Sequence, residues 1–282
     1  MKNNGKANCT ITFTDKALTY ISKHANLNNP EEVKQFIANK NVSNGTKRNY
    51  IATYKRYCEH RQIKWQIPKY KAEVKNRRIP TTEKLNILIA RASPRLSVKL
   101  AISKETGLRP IEVCNLKVRD TDLDKKRIYP TTAKNGNART LKISNNLAGM
   151  IQNHINRNRL DLNDKLFKGT SANYGKNFRE MRDSTAKKLN DQILKAIRLY
   201  DLRHYYATRL YAKTKDLLYV KQQMGHKNIE TTLIYTQLTQ FDEEEEYTCK
   251  TATNVKEATQ LIENGFEYIT EIDGIKLFRK RK

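Results

Sequence analysis

The chain has no apolar run long enough to cross a bilayer, and its polar N-terminus lacks the apolar core of a signal peptide. A membrane partner is therefore not expected. Its four cysteines, Cys9, Cys58, Cys114 and Cys249, lie far apart without a CxxC pair, so neither a zinc site nor a disulfide framework is expected. A reducing, cytoplasmic setting is the simplest one. No internal repeat is found. Acidic residues are scarce too: 29 Asp plus Glu stand against 55 Lys plus Arg, giving a net charge of +26 and a pI near 9.9.

Such an excess predicts a polyanionic partner, since each Lys or Arg can displace a counterion from a phosphate. A basic soluble protein without such a partner is the plain alternative. Residues 1–75 hold fifteen Lys/Arg against five Asp/Glu, and residues 76–247 hold thirty-three against nineteen. Both parts are basic, so both are expected to touch nucleic acid. The 282 residues suffice for two domains.

Residues 1–13, rich in Lys, Asn and Gly, read as loosely ordered, and Thr14 reads as the cap of a helix carrying Ala17, Leu18 and Ile21. Asn29-Pro30-Glu31-Glu32 opens a second helix with Val33, Phe36 and Ile37. A third, from near Thr46, runs through Tyr50, Ile51, Tyr54 and Tyr57, with Trp65 anchoring the end of the bundle. Its Lys47, Arg48, Lys55 and Arg56 interleave with the tyrosines, which fits a DNA-facing helix and equally fits basic residues around an aromatic core stripe. Residues 66–80, between Pro68 and Pro80 and including Arg77 and Arg78, read as a basic linker. Thr81 or Thr82 with Glu83 opens the next domain. A helix from Pro94 stops at Gly107, and Pro110 begins the following one, leaving Arg109 at a helix N-terminus where an anion is welcome. Arg127–Thr131 and Ala138–Ile143 read as strands around a tight Asn135-Gly136 turn. Residues 145–198 read as helical, with Leu147, Ile151 and Ile155 on one face. Beyond an acidic run at Asp242–Glu246, Asn254 caps a helix, and an Asp273-Gly274 turn joins two strands.

Residues 199–238 hold the densest set of groups able to handle a phosphate. Tyr200 and Arg203, three apart, face the same way at a helix start. Leu202, Tyr206 and Leu210 bury the neighbouring stripe. Asp216 caps a second helix that ends at Gly225, so His226 falls just past a helix end, and Asn228 caps a third helix carrying Tyr235. Two turns thus fold Arg203, His226 and Tyr235 back on one another. The pattern resembles the tyrosine recombinase (phage integrase) family, which has an Arg late in one box, then Gly-His, then a Tyr nine residues after the His. The match is Arg203, Gly225-His226 and Tyr235, preceded by Gly107-Leu108-Arg109-Pro110 as the first Arg box. Where the second box usually begins with His, this chain has Tyr200, as in archaeal and archaeal-virus members.

That resemblance implies a mainly α fold with a small β-sheet: a helical DNA-binding domain (1–75), a linker (76–80), a catalytic α/β domain (81–247) and a C-terminal α/β extension (248–282). It implies an enzyme that cuts and rejoins duplex DNA through a 3′-phosphotyrosyl intermediate, with no cofactor or metal. Arg109 and Arg203 would clamp the phosphate, His226 would hydrogen-bond it, and Tyr235 would attack. Lys134, with Lys142 as fallback, would protonate the leaving oxygen, and Tyr200 would take a place in the catalytic set. Lys47, Arg48, Lys55, Arg56, Arg77, Arg78 and His204 are the DNA-binding candidates, although His204 equally serves to brace Arg203. A double-stranded attachment site and a tetramer on DNA, from a monomer in solution, are the expected partners, in the host cytoplasm. Integration or excision of a virus or plasmid is the leading use, chromosome-dimer resolution its near rival. A type IB topoisomerase and a non-catalytic DNA-binding regulator complete the alternatives.

Overall fold

A computed structural model describes all residues except 1–4, 6, 72–77, 134–135, 239–246, 273 and 282. The chain forms two compact units, Met1–Asn76 and Arg77–Lys282.

The first unit is three helices, α1 (Asn8–Ser22), α2 (Pro30–Asn39) and α3 (Asn44–Arg61). The start of α2 is over-determined: the Asn29 side chain accepts from the amides of Glu31 and Glu32, Pro30 presets the first turn, and two glutamates complement the helix dipole. Ser43 caps α3, which ends at Gln62 in the left-handed region. Ile21, Val33, Ile37, Ile51, Tyr54 and Cys58 form the core, with Trp65 set edge-on to Tyr54 at 4.7 Å. Each such side chain contributes roughly 1.5–3 kcal/mol by leaving water. Tyr54 also donates to the Leu27 carbonyl at 2.9 Å, anchoring the α1–α2 connection. One expectation fails here. Helix α1 begins at Asn8, so residues 8–13 are helical, and Thr14 is a buried interior residue rather than a cap. No side-chain hydrogen bond caps α1 at Ala7, so the sequence carries no start signal there.

In the second unit α4 (Thr82–Arg91), capped by Thr81, leads to α5 (Pro94–Thr106), the most buried helix, and then to α6 (Pro110–Asn115). Gly107 ends α5 at φ +61°, and a Cβ there would lie 2.4 Å from the Tyr206 ring, so both backbone and packing demand glycine. A small antiparallel sheet follows in the order β1 (Thr121–Asp122), β2 (Arg127–Ile128), β3 (Leu141–Lys142). Arg127 pairs with Lys142 and Ile128 with Leu141. The strands are therefore two residues long, shorter than expected, and the expected turn at Asn135-Gly136 lies partly outside the described residues. Helices α7 (Asn145–Asn158), α8 (Ser171–Lys188) and α9 (Gln192–Ala196) complete the larger core with α5. Helices α10 (Asp201–Thr214), α11 (Leu217–Met224) and α12 (Glu230–Leu238) then carry Arg203, His226 and Tyr235 on or beside them.

The last segment is β4 (Tyr247–Ala252), α13 (Val255–Glu263), β5 (Glu267–Ile272) and β6 (Ile275–Arg281), with strand order β4-β6-β5. Asn254 caps α13 as the sequence suggests, whereas β4 adds a strand the sequence reading lacks. Among the described residues no helix is long and apolar enough to cross a membrane.

Candidate active site

Arg109 occupies the N-cap of α6. Its amide donates to Glu112 Oε2 at 2.8 Å and its guanidinium to Oε1 at 2.9 Å, so one carboxylate fixes both backbone and side chain. Glu112 is fully buried and also accepts from Arg139 at 2.8 Å and from the Ala133 amide at 3.2 Å. Burial alone would raise the Glu112 carboxyl, yet the Arg139 charge and the hydrogen bonds from Arg109, Arg139 and Ala133 hold it below the ordinary carboxylate range.

Arg203 comes from the first turn of α10 and is 2% exposed. It donates to the Gly107 carbonyl, to the Met224 carbonyl at 2.7 Å and to His226 Nε2 at 3.0 Å. Helix α10 is thereby tied to the end of α5 and to the end of α11. Burial, then the charge of Arg109, pushes the Arg203 pKa down to about 10. It remains a cation at neutral pH.

Helix α11 runs from its Asp216 cap to Gly225 at φ +61°, and His226 follows the stop. Burial, then the charges of Arg203, Arg109 and Arg139, lowers the His226 pKa to about 4. The imidazole is neutral at pH 7. Because Arg203 can only donate, Nε2 accepts, and Nδ1 carries the proton it donates to Thr232 Oγ1 at 3.0 Å. Tyr235 on α12 packs with Ala207, Val220 and Met224 and is 2% exposed. Its hydroxyl lies 3.1 Å from His204 Nδ1.

Residues 136–139 lie against these groups. Asn137 donates to the His226 carbonyl at 3.4 Å, and a Cβ on Gly136 would fall 3.0 Å from the Gly225 carbonyl and 3.6 Å from Arg109. The Arg139 guanidinium lies against Gly225, where a Cβ would meet it at 2.5 Å. Arg109, Arg203, His226 and Tyr235 are thus drawn together. Lys134 lies outside the described residues, but Ala133 and Gly136, on either side of its segment, both touch the site. Lys142, the fallback, is exposed on β3. Tyr200 is 44% exposed and meets His204 edge-on at 5.4 Å.

His204 departs from its expected DNA-facing place: it is 6% exposed and turned to Tyr235, because its position on α10 faces α12. In the first unit Arg48, Lys55 and Arg56 are exposed, Lys55 within 3.7 Å of Glu59. Lys47 instead donates to the Ala38 carbonyl and sits over the Tyr70 ring. Arg78 is exposed, and Arg77 lies outside the described residues. The sequence reading missed Glu112 and Arg139. The signal for Arg139 was its alternation with Leu141 and Ile143, both buried, which places it on the inward side of its segment. Among the described residues no group of His, Cys, Asp and Glu is placed to hold a metal.

Two arginines, a neutral histidine and a tyrosine around one point suit a tetrahedral phosphate, the guanidiniums offering forked, permanently charged donors. The sequence pattern of the phage integrase family matches residues 76–241, more than half the chain and all of these residues. The chain belongs to the phage integrase family. It is a tyrosine recombinase, an enzyme that breaks and rejoins DNA. It is similar to tyrosine recombinase XerA of Saccharolobus solfataricus, 28% identical over 75% of this chain and 69% of that protein. A probable integrase/recombinase protein of Methanocaldococcus jannaschii is 25% identical over 79% of this chain and 76% of its own length. The Tn1549 transposon integrase, solved with transposon right end DNA, shares the fold with a TM-score of 0.65 and 18% identity, over 85% of this chain and 94% of that one. As in that fold, the recombinase is mainly helical with small sheets.

Proposed function

We propose that this recombinase integrates or excises a virus or plasmid at a specific duplex site, with Arg109 and Arg203 clamping the scissile phosphate and Tyr235 as nucleophile. The observation that carries this reading is the pair of contacts that brings Arg203 to His226, and His204 to Tyr235, across three helices folded back on one another. Attack by the Tyr235 oxygen forms a 3′-phosphotyrosyl bond and releases a 5′ hydroxyl, while negative charge builds on the equatorial oxygens. Arg109, its guanidinium plane set by Glu112, meets that charge from the N-terminus of α6. Lys134 supplies the proton to the leaving oxygen. Because the phosphotyrosyl bond keeps the energy of the broken one, a second DNA end reverses the reaction without ATP or metal. Four protomers assemble on two duplexes, from monomers in solution, and the exposed Arg48, Lys55, Arg56 and Arg78 contact the DNA backbone.

The use on a mobile element is supported by the Methanocaldococcus jannaschii relative named as a probable integrase/recombinase. The test takes a nicked duplex from a candidate attachment site, incubated without metal or ATP and resolved on a denaturing protein gel. A covalent band that vanishes in Tyr235→Phe supports the chemistry, and a band that survives it removes Tyr235 from the role. Exchange between a mobile-element site and a different host site supports integration. Exchange only between two copies of one chromosomal site assigns dimer resolution instead.

A further inference from the structure

Two histidines lie within this site, and they are turned to different groups. His226 is committed on both ring nitrogens, to Thr232 and to Arg203. His204 has Nδ1 at 3.1 Å from the Tyr235 hydroxyl, with the two ring centroids 5.9 Å apart. Both partners are buried, at 6% and 2% exposure. The two residues sit on helices that pack together, α10 and α12, so the contact is built into the helix pair and does not depend on a loop.

A free phenol holds its proton to about pH 10, and an imidazole titrates near 6.5, so at neutral pH the phenol of such a pair is the O–H donor and the imidazole the acceptor. A phenol must lose that proton to become a nucleophile, and the acceptor must lie within hydrogen-bond reach of it. His204 Nδ1 lies within that reach of the Tyr235 hydroxyl. The groups that face His204 include Tyr200 from its own helix, Tyr235 from α12, and His226 from the turn after α11. The scissile phosphate would bring negative charge to this site, the sign that favours a protonated acceptor.

We propose that His204 is the proton acceptor for Tyr235, an inference that rests on Tyr235 being the nucleophile. As the Tyr235 oxygen bonds to phosphorus, its hydrogen passes to His204 Nδ1. The bond from phosphorus to the 5′ oxygen breaks, and that oxygen takes a proton from a separate acid, Lys134 in the reading above. In rejoining, the 5′ hydroxyl attacks phosphorus and gives up its proton to that acid, while the departing Tyr235 oxygen recovers its own from His204.

The test is single-turnover formation of the covalent adduct by the full chain on the nicked duplex, across pH 5.5 to 9.5, for the native protein, Tyr235→Phe, His204→Asn and His204→Gln. Asn sets an amide atom where Nδ1 stands and keeps a hydrogen bond, but it takes up no proton. Duplex binding and urea unfolding serve as controls for folding, and His204→Gln replaces the Asn variant should the latter unfold. The expected result is a loss of about 10²–10⁴-fold in the rate, the contribution typical of a general base. That rate should keep rising with pH where the native rate levels off. A second duplex carries sulfur in place of the bridging 5′ oxygen, a leaving group that needs no protonation; it should leave the His204→Asn defect in place. Native rate and native pH profile in His204→Asn would overturn the proposal, as would full recovery on the sulfur duplex, which would move His204 to the leaving-group side. Absence of any adduct from the native chain would overturn the nucleophile reading as well, and is told apart by the native lane alone.

Discussion

The first unit and the active site are both rich in cations, and they hold them in opposite ways. On α3, Arg48, Lys55 and Arg56 stand in solvent, where charge is cheap to hold and easily screened. In the second unit Arg203 and Arg139 are 2% and 7% exposed, stripped of water and held by carbonyls and by the buried Glu112. Exposed charge can follow any phosphate backbone, and buried charge is fixed in place before the substrate arrives. The difference is between charge left free to be screened and charge oriented in advance.

The sharpest way to break this comparison is Tyr235→Phe, which keeps the ring in its apolar packing and removes only the oxygen near His204. Covalent adduct should fall below detection on the denaturing gel, with duplex affinity unchanged. Next in size is Glu112→Ala. It leaves the buried Arg139 without its counter-charge and frees Arg109, and losing one partner of a buried pair costs about 3–5 kcal/mol. Urea unfolding should show that loss, and Arg56→Ala on the exposed face should stay within about 0.5 kcal/mol of native.

A third prediction uses pH. His226 has a folded-state pKa near 4 against 6.5 for the free side chain, lowered first by burial and then by the arginines. Between those values the unfolded chain binds the extra proton, so stability should fall as pH drops from 6.5 toward 4 and be insensitive to this group above 6.5. In His226→Gln that segment of the urea midpoint against pH should flatten. The smallest effect belongs to the exposed cations. Each of Arg48, Lys55 and Arg56 that contacts a phosphate should, on change to Gln, reduce the magnitude of the slope of log affinity against log salt by about 0.9, leaving the cleavage rate at saturating protein unchanged. Retained slopes would show that α3 does not lie on DNA.

The parts of the site that were legible in the sequence are those written in local spacing. Arg203, His226 and Tyr235 are set by helix periods and by two stops, and the left-handed Gly225 is where the sequence requires it. Arg109 was legible because Gly107 and Pro110 bracket it. Glu112 and Arg139 were not, because their roles come from a pairing across 27 positions that no local pattern records. The direction of His204 was hidden likewise, since the packing of α10 on α12 decides it. In the fold, capped α2 and α4 were readable, and the uncapped start of α1 was not. The sheet strands are too short for alternation to mark their ends.

In the last segment β6 is made last of the three strands yet lies between the other two, pairing antiparallel with both β4 and β5. As the chain leaves the ribosome, β4 and β5, which run the same way, therefore emerge without the strand that pairs with both. The sheet closes in one step when Ile275–Arg281 follows. Synthesis order thus leaves the inner edges of β4 and β5 open until β6 has been made.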